Sequence, residues 1–173
     1  MPTFDVVIAD ITKFTADAIV NAANKTLLGG GGVDGAIHRA AGPQLLAYCI
    51  KLKGCETGSA KISPAFGIST ARYIIHTPGP RFSRRKADLC DALLSSSYFS
   101  SLYLAEKADC QTIAFPSIST GGYSFPLERA AMVVAKTFFV YKKLGSSLTS
   151  VTMACFDVAT ANAYKEAFES LKL

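Results

Sequence analysis

The chain has 173 residues, half of them hydrophobic and 18% charged, so it can bury one substantial core and is too apolar for a disordered or tail-like segment. Eighteen Lys and Arg against 13 Asp and Glu leave a net charge of +5, which favours an anionic ligand; the cations are scattered except for RFSRRK, Arg81 to Lys86. No basic segment followed by an apolar run opens the chain and no stretch is long enough to span a bilayer, so a single cytoplasmic domain over residues 1–173, without membrane contact, is expected.

In chain order, Phe4 to Ala9 reads as a strand, a short apolar run closed by Asp10. A second strand, Ala18 to Val20, leads into a loop from Asn21 to Val33 that holds four consecutive glycines, Gly29 to Gly32, and then Asp34. Helical spacing follows at Gly35 to Ala41 and Gln44 to Lys53. Strands begin at Lys61 and cover Tyr73 to His76. The serine-rich SSSYFSS belongs to a helix from Leu89 to Lys107, because its aromatic pair and flanking leucines suit an amphipathic stripe better than a spacer. A strand at Thr112 to Phe115, a helix at Leu127 to Leu144, a strand at Val151 to Phe156 and a helix at Thr160 to Leu171 complete the chain.

Apolar strands alternating with helices predict helices on both faces of a largely parallel or mixed sheet. In such sheets the ligand crevice lies beyond the carboxyl ends of the strands. Five cysteines without a CxxC pair read as buried thiols. The two histidines, His38 and His76, have no partner at a zinc-type spacing, so neither a metal nor a cofactor is expected.

Two crevice loops are glycine-rich. Gly30, Gly32 and Gly35 formally satisfy GxGxxG, but Gly30 comes eight positions after Ala22 where a dinucleotide fingerprint follows its strand directly, and an acid, Asp34, stands in the loop. A P-loop fails because Ala36 and Ile37 follow Gly35 where Lys and Ser or Thr are needed. The second loop, FPSISTGGYSFP, Phe115 to Pro126, leaves a strand and opens a helix. Backbone N–H groups in such loops form an anion nest, and the two loops together could close on a diphosphate without lysine or arginine.

These residues resemble the macro domain family, in particular its MacroD-type ADP-ribosyl hydrolase branch. The matching segments are ADIT from Ala9, DAIVNAAN from Asp17, LLGGGGVDGAIHRAAGP from Leu27, GCETGSAKIS from Gly54, IIHTPGP from Ile74 and IAFPSISTGGYSFP from Ile113, in family order along nearly the whole chain. The resemblance implies a three-layer α/β/α sandwich around a mixed, mostly parallel sheet of about six strands. It implies a hydrolase that removes mono-ADP-ribose from acidic protein side chains or deacetylates O-acetyl-ADP-ribose. Asp10 and the Ile11 backbone would meet the adenine and Phe156 would lie by its face. Gly31, Gly32, Val33, Ser119, Thr120, Gly121 and Gly122 would cradle the diphosphate, and Asn24 and Tyr123 would meet the distal ribose. Asp34 would be the catalytic acid, with Asn21 and His38 beside it.

The chemistry of these residues is compatible with that allocation. Hydrolysis at the ribose needs a held, activated water, and a carboxylate beside a diphosphate is a better base than a free one, because the like charge raises its pKa. Plainer roles stand beside these. Asp10 caps a turn, Phe156 packs in the core, Asn21 bonds and shapes its loop, and His38, one helical turn after Asp34, satisfies a bond on the helix face. Three differences from the family pattern stand out: Ala9 for a glycine, Pro78 for a valine, and Gly122 with Ser124 for a bulky residue and a glycine around Tyr123. The change at Gly122 should loosen the loop over the ribose. A non-catalytic ADP-ribose reader is the alternative function; nucleic-acid binding through Arg81 to Lys86 ranks last, without an RNA-binding aromatic motif.

Overall fold

A computed structural model describes all 173 residues. Its strands are β1 Thr3–Ile8, β2 Ala18–Ala23, β3 Lys61–Pro64, β4 Tyr73–Pro78, β5 Thr112–Phe115 and β6 Ser150–Cys155. They form one sheet of six in the order β1-β6-β5-β2-β4-β3, parallel throughout except that β3 runs antiparallel to β4. The helices are α1 Gly32–Ala41, α2 Pro43–Leu52, α3 Ala87–Lys107, α4 Leu127–Leu144 and α5 Val158–Ser170, with a short 3-10 turn at Arg84–Lys86 before α3. None is long and apolar enough to cross a membrane.

Alternate residues of each strand face opposite ways, and both faces are covered. Ile19, Ile74, Ala114 and Ala154 pack with Ile37 and Leu45 of α1 and α2. Ala18, Val20, Ile75, Phe115 and Met153 pack with the larger layer of α3, α4 and α5. Phe138 of α4 sits at the centre of that layer, its ring 5.3 to 5.8 Å from those of Phe4, Tyr98, Phe115 and Phe168. Emptying such a site costs about 3–5 kcal/mol. This is the expected α/β sandwich, with five buried free cysteines.

Connectivity determines where a ligand crevice opens. β2 and β5 are neighbours in the sheet, yet the chain leaving β2 enters α1 on one face while the chain leaving β5 enters α4 on the other. Two adjacent parallel strands whose connections part in this way leave a crevice at their carboxyl ends. Both glycine loops leave from these two ends.

Candidate active site

β2 runs to Ala23, three residues past its expected end, because Asn21, Ala22 and Ala23 pair with His76, Thr77 and Pro78 of β4. Asn21 is therefore a buried strand residue and not a shaper of the loop backbone. That task falls to Asn24. Its Oδ1 accepts from Thr26 N at 3.0 Å, Thr26 Oγ1 at 2.5 Å and Leu27 N at 3.2 Å, while Nδ2 donates to Gly29 O at 2.9 Å. One Nδ2 hydrogen is left over.

The four glycines serve distinct needs. Gly29 and Gly32 take φ of +92° and +56°, a region that penalises a Cβ. Gly30 lies so close to the acid that a Cβ would stand 3.2 Å from Asp34 Oδ2. Gly31 caps α1 and has no protein atom within 4 Å of where a Cβ would be, so its backbone is bare to the cavity. The first-turn N–H groups of α1 lack intrahelical acceptors and open on the same space. The helix begins at Gly32, three residues before its expected start, which puts Asp34 in its first turn.

Asp34 is 5% exposed. Its Oδ1 accepts from Asn21 Nδ2 at 2.8 Å and lies 3.5 Å from His38 Nε2, while Oδ2 faces Gly30. Burial raises its pKa above the usual 3.8, against the pull of the Asn21 hydrogen bond and of His38.

Behind Asn21 runs a chain of buried groups: Asn21 Nδ2 is 3.1 Å from His76 Nδ1, and His76 Nε2 is 2.9 Å from Ser63 Oγ, which donates to Pro64 O at 3.0 Å. Burial, with His38 nearby, lowers the His76 pKa from 6.5 to about 3, so the ring is neutral. Because the Ser63 proton goes to Pro64, His76 must donate through Nε2 and accept through Nδ1. Both hydrogens of the Asn21 amide are then committed, one to His76 and one to Asp34.

The second loop is pinned at its base. The buried Tyr98 hydroxyl of α3 donates to Pro116 O at 3.0 Å and accepts from Ile118 N at 3.1 Å, and Tyr164 of α5 meets Ser117 Oγ at 2.7 Å. The serine-rich stretch is helical as expected, and Ser96 and Ser100 donate to Gly58 O, Ser97 to Pro78 O. Its hydroxyls thus satisfy carbonyls next to the crevice. Ser119 holds a φ of +68° with its hydroxyl buried and unpartnered, and a Cβ at Gly79 would collide with it. Tyr123 leans on Arg81, whose guanidinium carbon lies 4.5 Å from the ring centroid, and its carbonyl accepts from Phe82 N at 2.9 Å.

One cavity of about 490 Å³ brings together Asn24, the segment from Gly30 to Asp34, Ser119, Gly121, Gly122 and Tyr123. Asn21 and His38 stand behind its acid. The three buried side-chain polar atoms without a hydrogen-bond partner, Asn21 Oδ1, His38 Nε2 and Ser119 Oγ, all belong to this group. Native interiors rarely leave such atoms unmatched without a role for them.

The remaining expected residues lie elsewhere. Thr120 turns to Ser117, with its hydroxyl 2.7 Å from that of Ser117. Asp10, Ile11 and Phe156 follow the ends of the adjacent strands β1 and β6, tied by Ala9 N to Cys155 O at 3.0 Å. Asp10 Oδ1 caps its turn by accepting from Thr12 N and Oγ1, at 2.9 and 2.6 Å. Ile11 is buried and Phe156 is 80% exposed, not part of the core. Sequence reasoning passed over His76, Ser63, Tyr98, Tyr164 and Arg81. For His76 the signal was present, as a lone ionisable residue in the apolar run YIIHTP.

The Macro domain family model matches residues 20–134. A Macro domain-containing protein of Lactiplantibacillus plantarum is 52% identical over 172 residues, 99% of each chain. An O-acetyl-ADP-ribose deacetylase 1 of Pantoea vagans is 46% identical over 168 residues, covering 95% of this chain and 97% of its own. An Oceanobacillus iheyensis macrodomain mutant, solved with ADPR, superposes with a TM-score of 0.92 at 38% identity over 99% of this chain and 94% of its own. With the family match spanning more than half of the chain and relatives this similar along its full length, the chain belongs to the macro domain family.

Proposed function

We propose that the chain binds ADP-ribose along the carboxyl edge of its sheet and hydrolyses the bond between the distal ribose and a modified acidic side chain, or the acetyl ester of O-acetyl-ADP-ribose. One observation carries the reading: Asp34, a nearly buried carboxylate, forms part of the wall of a cavity otherwise built largely from two bare glycine loops. In this reading the backbone from Gly31 to Val33 and from Ser119 to Gly122 holds the diphosphate. The free Nδ2 hydrogen of Asn24 meets the distal ribose, Tyr123 covers it, and Asp10, Ile11 and Phe156 receive the adenine.

Asp34 Oδ2, unpaired and turned to the cavity, accepts a proton from water as the water oxygen bonds to the anomeric carbon. The bond from that carbon to the carboxylate oxygen of the modified side chain breaks, and the carboxylate leaves with the bonding pair. On the acetyl ester the same water adds to the carbonyl carbon, the bond from that carbon to the ribose oxygen breaks, and the ribose oxygen takes the proton back from Asp34 as acetate is released. A diphosphate nearby opposes ionisation of Asp34 further, which strengthens it as a base.

The relative named as a deacetylase and the structural neighbour solved with ADPR support this reading. The test is incubation with glutamate-linked ADP-ribosylated protein and with O-acetyl-ADP-ribose, wild type against Asp34→Ala, with calorimetry of free ADP-ribose. Turnover by wild type alone, with binding by both, is expected. Turnover by Asp34→Ala at the wild-type rate would remove Asp34 from the mechanism, and binding without turnover by either would leave a reader.

A further inference from the structure

The basic run Arg81 to Lys86 has no part in the cavity chemistry beyond Arg81, and the ion pairs of the molecule leave it alone. Asp88 and Asp91, the acids that follow it in sequence, are both held by Arg129 of α4, at 3.7 and 2.8 Å. The positive charge of the run is therefore uncompensated by its own neighbours.

This charge borders a second cleft of about 340 Å³, which shares Gly79, Arg81 and Tyr123 with the first. Lys25, Arg81 and Lys86 line it, no carboxylate does, and Leu89 and Leu93 of α3 supply an apolar wall. Lys25 has a rim partner, Glu56, at 3.2 Å; Arg81 and Lys86 have none. Leu89 is 53% exposed although it sits in this wall. Tyr123 lines both clefts, and Arg81 is already stacked on it, so the guanidinium is held in place before any partner arrives.

We propose that this second cleft receives the polypeptide bearing the ADP-ribose group and favours acidic segments, with Arg81 and Lys86 meeting carboxylates that flank the modified residue and Leu89 meeting an aliphatic side chain. The inference rests on the reading of the first cavity as an ADP-ribose site. The two clefts adjoin through the shared Gly79, Arg81 and Tyr123, so a chain attached to a ribose held beside Tyr123 has this cleft as its neighbour. A polypeptide fits better than single-stranded nucleic acid. Bases need aromatic platforms to stack on, and the one ring lining the cleft, Tyr123, already carries Arg81.

The test uses free ADP-ribose and two peptides carrying ADP-ribose through a non-cleavable amide, one flanked by glutamates and one by lysines. Affinities are measured for wild type, Lys86→Glu and Leu89→Asp, both substitutions at exposed positions outside the first cavity. Wild type should bind the acidic peptide more tightly than free ADP-ribose, and less so as salt rises. Lys86→Glu should weaken the acidic peptide about fivefold, leave free ADP-ribose unchanged and reverse the preference between peptides. Leu89→Asp should also weaken the acidic peptide alone.

Equal binding of both peptides by wild type and Lys86→Glu would overturn the proposal, as would an equal loss for free ADP-ribose. So would displacement of the acidic peptide by an RNA oligonucleotide that leaves free ADP-ribose bound. Failure of wild type to bind free ADP-ribose would instead sink the reading of the first cavity. Absence of turnover would sink only its hydrolytic part, because these readouts are affinities.

Discussion

Asn21 Nδ2 lies 2.8 Å from Asp34 Oδ1, joining a residue inside strand β2 to one in the first turn of α1. The amide faces this way because His76 accepts its other hydrogen, and His76 accepts because its own proton is committed to Ser63. The orientation of the carboxylate is thus traceable to a serine hydroxyl on the far strand β3.

Ser63→Ala frees the His76 Nε2 proton from its acceptor and lets the ring adopt the other tautomer, which turns the Asn21 amide over and sets its oxygen against Asp34. The expected result is a kcat lowered about tenfold with ADP-ribose affinity within about twofold of wild type. The acid limb of the pH–rate profile should move to higher pH, because the Asn21 bond that opposes protonation of Asp34 is weakened. A merely structural role for Ser63 would lower stability without moving that limb.

Asp34 itself should cost stability. Its pKa is raised in the fold by burial, so the folded state holds the proton to higher pH than the unfolded chain does. Its contribution is most favourable below pH 3.8 and is lost as pH rises through the folded pKa. Asp34→Asn, which keeps an acceptor for Asn21, should be about 1 kcal/mol more stable than wild type at neutral pH, with the gain fading toward acid, and should be inactive. Thermal unfolding across pH checks the first part; an equal Tm at neutral pH would contradict it.

His76 acts in the opposite sense. Its pKa falls from 6.5 to about 3 in the fold, so the unfolded chain takes up a proton that the folded chain refuses. The stability linked to this difference is complete above pH 6.5 and is lost as pH falls toward 3, at up to about 1.4 kcal/mol per pH unit. Denaturant titrations of His76→Gln should show a shallower fall of stability with acid than wild type.

The loop from Ser119 to Ser124, which in the proposed reading covers the distal ribose, should tighten when its two unusual residues are exchanged. Gly122 has open space where a Cβ would stand and no left-handed φ, whereas Ser124 carries a φ of +59° with a side chain. Gly122→Val with Ser124→Gly should therefore remove chain freedom where none is needed and relieve strain where a glycine belongs. A Tm rise of about 2–4 °C is expected, with a lower KM for the ADP-ribosylated substrate. A fall in Tm would show that the added isopropyl group meets an obstacle rather than open space.

Much of this was legible in the chain itself. The alternation of apolar runs fixed the number and kind of elements, since strand and helix periodicities are local, and GGGGVDG marked the crevice because only close approach and unusual φ call for so many bare residues. Element ends were less legible. β2 continues through Asn21 because β4 lies alongside it, a fact absent from Asn21's own neighbours in sequence.

The sequence by itself therefore determined the layered α/β architecture, the two glycine loops and the identity of the acid between them. Only the tertiary structure decided that His76 and Ser63, from strands β4 and β3, stand behind that acid, that Tyr98 and Tyr164 anchor the second loop, and that Arg81 stacks on Tyr123. Backbone preference and hydrophobic pattern act over a few residues, whereas these contacts join residues 13 to 55 positions apart and exist only once the sheet has put its strands in register.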